Sequence, residues 1–264
     1  MAEYEKTIQQ NISLYYEDKG VGKPIVLLHG FCGSHEYWKY IVQDLSSFYR
    51  IIAIDLRGHG KSADSEESFT IEDMAKDIQQ LLLQLEIEEA TVLGHSLGGY
   101  VALALLDKHP ELIRAIGLIH STGAPDSEEA KAGRDIAIKK INEEGMKGFI
   151  EELSLKLFAK ENKDKLSEEM EHVKKIGCNT TVNGAEGALD AMKNRIDRQH
   201  VLKEAKCPIL LVAGKGDQII PQEKTFVVEG PNVQQVLLAD SGHMSMLEEP
   251  NALMQAITDF MNQK

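Results

Sequence analysis

The sequence is poor in cysteine and in positive charge, and it has no long apolar run. Its three cysteines, Cys32, Cys178 and Cys207, are an odd number at no metal-ligand spacing. That argues against a disulfide framework and for a reducing compartment, with each thiol read as a small buried hydrophobe. The 29 Lys and Arg are outnumbered by 42 Asp and Glu, giving a formal net charge of −13. So acidic a chain is poorly suited to nucleic acid or an anionic membrane surface, and the charge is read as serving solubility. No apolar stretch approaches the ~18 residues needed to span a bilayer. The opening Met1-Ala2-Glu3-Tyr4-Glu5-Lys6 is polar, without the apolar region of a secretory signal, so a cytoplasmic location is expected. What is present is ordinary for a globular protein. The 264 residues are 42% hydrophobic and 27% charged, enough for one large domain or one domain with an insertion.

Short apolar runs alternate with helical patterns along most of the chain. Ile12–Glu17 alternates and ends at Asp18-Lys19-Gly20, an early strand and turn. Pro24–Leu28 and Arg50–Ile54 are continuous apolar runs of the kind that central strands buried on both faces require. Between them a helix is expected from about Glu36 to Ser46. Ile71, Met74, Ile78, Leu81, Leu82 and Leu85 recur at helical spacing behind Thr70, a suitable N-cap. Further strands are expected at Ala90–Leu93, Ile113–Ile119, Pro208–Ala213 and Val233–Ala239. This alternation predicts a doubly wound, mostly parallel sheet with its ligand site at the carboxyl ends of the strands. The stretch from Ala124 to His200 breaks the rhythm. It holds 16 acidic and 14 basic residues and no strand-like run. Two helical periodicities recur in it, one through Ile136, Lys139, Lys140 and Glu143, the other through Met146, Phe149, Ile150, Leu153 and Leu157. The expected division is a core of residues 1–122 and 203–264, with a helical cap inserted at 123–202.

The chemistry is concentrated in Gly94-His95-Ser96-Leu97-Gly98. A strand precedes it and an apolar helix, Tyr100–Leu106, follows. Strand, sharp glycine turn and helix form the setting of a G-x-S-x-G nucleophile elbow, which thrusts the serine out at a strand end. The amide of Leu97 then opens a helix and can meet developing negative charge. A serine hydroxyl needs a base and an acid to orient that base. His243, in Gly242-His243 just past the last strand, is the candidate base. Asp217, in the loop after the preceding strand, is the candidate acid, and the order Ser96, Asp217, His243 suits this architecture. Asp55 and Asp240 are the competing acids. Asp240 lies very close to His243 in the chain, and the sixth strand ends in Ile119-His120-Ser121-Thr122 without an acid. No His, Cys, Asp or Glu cluster has metal spacing, and no glycine loop fits a dinucleotide, so neither metal nor cofactor is expected.

Five motifs occur in order: His29-Gly30, Asp55-x-Arg57-Gly58-His59-Gly60-x-Ser62, the elbow, Gly214-x-x-Asp217-x-x-x-Pro221, and Gly242-His243. With them the chain resembles the α/β-hydrolase superfamily, in particular its small carboxylesterase-like members, over nearly its whole length except the cap. The resemblance implies an α/β-hydrolase fold of eight strands, with an oxyanion hole built from the Phe31 and Leu97 amides. It implies that Asp55, His29 and His95 brace loops. Relatives with dehalogenase or epoxide-hydrolase activity carry an aspartate at the elbow, and Ser96 disfavours those activities.

The expected activity is hydrolysis of a small ester, lactone or thioester through an acyl-enzyme on Ser96. A ligand receptor on the same fold is the alternative. Carbon–carbon bond hydrolysis, or the synthase that forms 2-succinyl-6-hydroxy-2,4-cyclohexadiene-1-carboxylate, ranks third. That synthase's family carries an arginine behind the elbow glycines where this chain has Tyr100. Phe149, Phe158 and His120 are the candidate pocket residues. An apolar cap stripe used as a roof predicts a substrate that is neutral or carries its charge away from the roof.

Overall fold

In a computed structural model, which describes residues 2–8, 12–64 and 68–262, eight strands form one sheet. They are β1 (Ala2–Ile8), β2 (Ile12–Lys19), β3 (Pro24–Leu28), β4 (Arg50–Ile54), β5 (Ala90–His95), β6 (Ile113–Ile119), β7 (Ile209–Gly214) and β8 (Val233–Leu238). Their order is β1-β2-β4-β3-β5-β6-β7-β8. β1 and β2 pair antiparallel with each other, β2 pairs antiparallel with β4, and every pairing from β4 to β8 is parallel.

The apolar runs are explained by burial on both faces. In β3, Ile25 and Leu27 join one core, while Val26 and Leu28 join the other. β4 and β7 divide in the same way, because successive side chains of a strand point to opposite faces. One core is closed by α1 (Lys39–Leu45) and α8 (Pro250–Met261), through Ile41, Leu253 and Phe260. The other is closed by α2 (Ile71–Gln84) and α3 (Leu97–Lys108), through Met74, Ile78, Val101 and Leu105. Thr70 caps α2 as expected, with a reciprocal bond from Asp73. The helix expected at 36–46 is shorter: a 3₁₀ turn over His35–Trp38 leads into α1.

Between β6 and β7 lie α4 (Glu128–Leu157), α5 (Ser167–Cys178) and α6 (Val182–Lys193), followed by α7 (Gln199–Glu204). The two periodicities of the cap meet in α4. The helix is broken at Gly145, whose φ of 73° no helix accommodates. No described helix is long and apolar enough to cross a membrane.

Candidate active site

The turn between β5 and α3 holds Ser96 at φ 49° and ψ −113°, a backbone conformation that costs energy in any non-glycine residue. Two glycines make it sterically possible. A Cβ on Gly94 would come within 2.3 Å of the Gly98 carbonyl oxygen, and one on Gly98 within 2.4 Å of the Leu28 oxygen. The turn is pinned from both sides. The Ser96 amide donates to the Ile119 oxygen (3.0 Å), and the Ser121 hydroxyl donates to the Ser96 oxygen (2.7 Å). The amide of Leu97, first in α3, and that of Phe31, in the loop after β3, donate to no backbone oxygen among the described residues.

His243 and Asp217 come together. His243 Nδ1 is 2.8 Å from Asp217 Oδ2, and both side chains are essentially buried. The other carboxylate oxygen accepts from the amides of Ile219 (2.8 Å) and Ile220 (3.0 Å), so the acid is oriented by its own loop. Burial alone would raise the Asp217 carboxyl. The charge of His243 and the hydrogen bonds from His120 and His243 outweigh burial and hold it well below the usual carboxylate range. The competing acids are elsewhere. Asp240 is exposed. Asp55 accepts from the His35 amide and ring and from the Lys61 amide, clipping together the loops after β3 and β4. His29 does similar work, its Nε2 accepting from the Leu56 amide at 2.9 Å. His95 holds the backbone of His243, its Nε2 lying 2.9 Å from the His243 oxygen.

Ser96 and His243 line one small cavity of about 60 Å³, floored by Phe31 and His95 and walled on the α4 and α6 side by Arg134, Leu153, Leu157 and Met192. The Ser96 hydroxyl makes no hydrogen bond to the imidazole in this structure. Such nucleophile–base contacts commonly tighten only around bound substrate.

Two expectations for the pocket fail. Phe158 is fully buried in the core on the α1 side and does not face the cavity. Helical spacing carried it past the end of α4, where the chain turns inward at a C-cap in extended conformation. His120 is also fully buried, wedged between Asp217 Oδ2 (Nδ1, 3.1 Å) and Ser245 Oγ (Nε2, 2.7 Å). It supports the acid from behind instead of lining the pocket. Phe149 stands one layer out, edge-on to Phe31 with ring centroids 6.0 Å apart. The roof is not purely apolar either, because Arg134 is part of it, and the argument against substrate charge near the roof falls with that.

Glu248 went unnoticed in the sequence. Its carboxylate accepts from the amides of Gly242, Met244 and Ala159 and from the Asn162 side chain, tying the His243 loop to the end of α4. The His243 amide adds a bond to the Leu157 oxygen at 2.8 Å. An acid shortly after Gly-His is too common a pattern to have pointed to this role. His120, Asp217 and His243 also place three potential metal-ligand atoms within 4.8 Å of one another. Both Nδ1 atoms approach the same carboxylate oxygen at hydrogen-bond distance. This is the arrangement of two N–H donors on one acceptor, and it uses the atoms a cation would need.

A sequence model of the alpha/beta hydrolase fold family matches residues 23–138. The chain is similar to the AB hydrolase superfamily protein YisY of Bacillus subtilis, 27% identical over 270 residues that cover 99% of this chain and 100% of that one. It is also 27% identical, over 252 residues and 91% of its length, to the dihydrolipoyllysine-residue acetyltransferase component of the acetoin cleaving system of Pseudomonas putida. There the match spans only 64% of the relative's length. Among solved structures, a thermophilic esterase from Thermogutta terrifontis, with malate bound, superposes with a TM-score of 0.92 at 29% identity. The match covers 99% of this chain and 98% of that one.

Proposed function

Because the chain belongs to the α/β-hydrolase superfamily, its reaction is to be read from the elbow, and we propose that it is a serine hydrolase of small carboxylic esters or lactones. The observation that carries this reading is convergence. A strained serine, a histidine backed by a buried carboxylate, and Phe31 line one cavity, and the unengaged Leu97 amide follows directly on the serine. The likeness to an esterase structure supports it.

In this mechanism His243 takes the Ser96 proton as the hydroxyl attacks the carbonyl carbon. Asp217 keeps the Nδ1 proton in place, so Nε2 is the basic nitrogen, and it stabilises the imidazolium that forms. The oxyanion settles on the Phe31 and Leu97 amides, donors of a kind worth about 3 kcal/mol each to the transition state. His243 then protonates the leaving alcohol and activates water to release the acyl group. Phe31 supplies its amide from a loop whose ring is held between His59 and Phe149, with centroids 6.1 and 6.0 Å away.

The test is a panel of p-nitrophenyl esters and lactones assayed with wild type and Ser96→Ala, together with organophosphate labelling and peptide mapping. Hydrolysis that depends on Ser96 and labelling confined to it are expected. Undiminished hydrolysis by the Ala variant, or a label elsewhere, would refute the assignment.

A further inference from the structure

The wall of the Ser96 cavity carries one guanidinium group, that of Arg134 in the first half of α4. Its Nε donates to Asp126 Oδ2 at 3.1 Å. The other oxygen of Asp126 is taken by Arg195 Nη1 at 2.5 Å. Arg195 commits three of its five N–H donors to neighbouring oxygens. Nη1 also donates to the Met192 oxygen, Nε donates to the Ala124 oxygen, and the guanidinium stacks 4.1 Å from the ring centre of Tyr100. Asp126 and Arg195 are both buried. One carboxylate therefore stands against two guanidinium groups, which leaves one positive charge uncompensated in the cluster.

Of the two guanidinium groups, that of Arg134 is the one in the cavity wall. Arg134 uses one of its five N–H donors, and its Nη atoms donate to no described residue. Around it the cavity wall is largely apolar, with Leu153, Leu157 and Met192 nearby. The Arg134 side chain is a quarter exposed, so its Nη groups are shared between water and the cavity, and an anion seated there would take the place of that water. A guanidinium held from behind through Nε keeps its two Nη groups in the planar fork that matches a carboxylate. The group is also fixed relative to the nucleophile. Tyr100 lies four residues after Ser96, Arg195 packs on Tyr100, and Asp126 links Arg195 to Arg134.

We infer that Arg134 binds a carboxylate of the substrate, and that the substrates are small esters or lactones that carry a free carboxylate beside the scissile bond. This rests on the serine-hydrolase reading and adds the charge of the substrate to it. The net charge of −13 does not steer such an anion toward the protein, so its recognition falls to this local cation.

The experiment pairs each anionic ester with a neutral one of similar size. Monomethyl succinate is compared with methyl butyrate, for a charge on the acyl side. 3-Acetoxypropionate is compared with butyl acetate, for a charge on the alcohol side. In wild type, kcat/KM for the anionic member of at least one pair should exceed that of its neutral partner. In Arg134→Met that ratio should fall by about ten- to a hundredfold, the range of a hydrogen-bonded charge contact, mainly through KM. Arg134→Lys should recover part of it. A wild type that prefers the neutral member of both pairs, or a ratio that Arg134→Met leaves unchanged, overturns the inference. The wild-type comparison stands even if the variant folds poorly. A second readout needs no turnover: succinate at millimolar concentration should raise the Tm of wild type and of Ser96→Ala, and raise that of Arg134→Met less. If no ester is cleaved but succinate stabilises through Arg134, the hydrolase reading fails and the anion site survives. If esters are cleaved without regard to charge and succinate has no effect, the anion site fails alone.

Discussion

The sheet and the cap bury their residues by different rules. In β3, β4, β5 and β7 nearly every side chain is inaccessible, and each strand serves two cores at once. In the 30 residues of α4 only Ile141, Ile150, Ser154 and Leu157 are buried. Much of the remaining surface of α4 carries charge, as in the exposed pair Lys139–Glu143. The sheet holds the reacting groups where tight packing leaves them no alternative. The cap meets the cavity through a few side chains on a partly solvated helix. Such a helix can change its residues at low cost in stability, so the side chains it lends to the cavity can vary without disturbing the sheet.

The largest test of this division is Ser96→Ala. With the nucleophile gone, kcat/KM on any cleaved ester should fall by about 10⁴-fold or more while Tm barely moves. Retained activity would mean that the floor is not where the chemistry occurs. Asp217→Asn should come next, with a loss of about 10²- to 10⁴-fold in kcat. Its buried carboxylate sets the His243 tautomer, and an amide reproduces the shape without the charge. Phe158→Ala then separates sequence from structure. Phe158 follows the cap helix directly but sits in the core, so about 3–5 kcal/mol of stability should be lost by urea titration. A loss below about 1 kcal/mol would return it to the cap.

Acid should undermine the floor. Burial first, and the charge of His59 next, push His29 down to about 3, and burial also lowers His59, His95 and His120. Between that value and the ordinary ~6.5 of histidine, the unfolded chain binds protons that the folded chain refuses. Stability should therefore drop as pH falls below about 6.5, by up to about 1.4 kcal/mol per pH unit for each such histidine. His35 runs the other way. Burial would lower it, but Asp55 outweighs burial and raises it, so its contribution is present at acid pH and is lost as pH rises through its folded value. Urea titrations at pH 5, 6, 7 and 8 would read the sum, and a flat profile would contradict neutral burial of these rings. The smallest effect belongs to Phe149→Ala. The side chain is half-buried against Phe31, so about 1–2 kcal/mol of stability should go, with a change in relative kcat/KM across acyl chain lengths. Equal losses on every ester would make it packing alone.

What could be read in advance follows the same division. β3 and β4 were legible because burial on both faces leaves a continuous apolar run. The elbow was legible because its strain demands glycine at fixed offsets. The pairing of Asp217 with His243 was legible because chain order on this sheet is restrictive. His120, Glu248 and Arg134 were not, since each acts through residues more than 80 positions away or through a charge count that local spacing does not display. The break at Gly145 left only an indirect mark, the change from one helical stripe to another.

The bonds from Glu248 and from Leu157 to the His243 loop tie one end of the cap to His243. Detaching the helix there would release the His243 amide from its acceptor and pull the imidazole off Asp217. Movement of the other half of α4, beyond the break at Gly145, would leave these bonds in place. Amide hydrogen exchange at His243 then becomes a clock for loss of the competent state. It should run far slower than exchange in the first half of α4, and breathing of the cap at that end would leave it untouched.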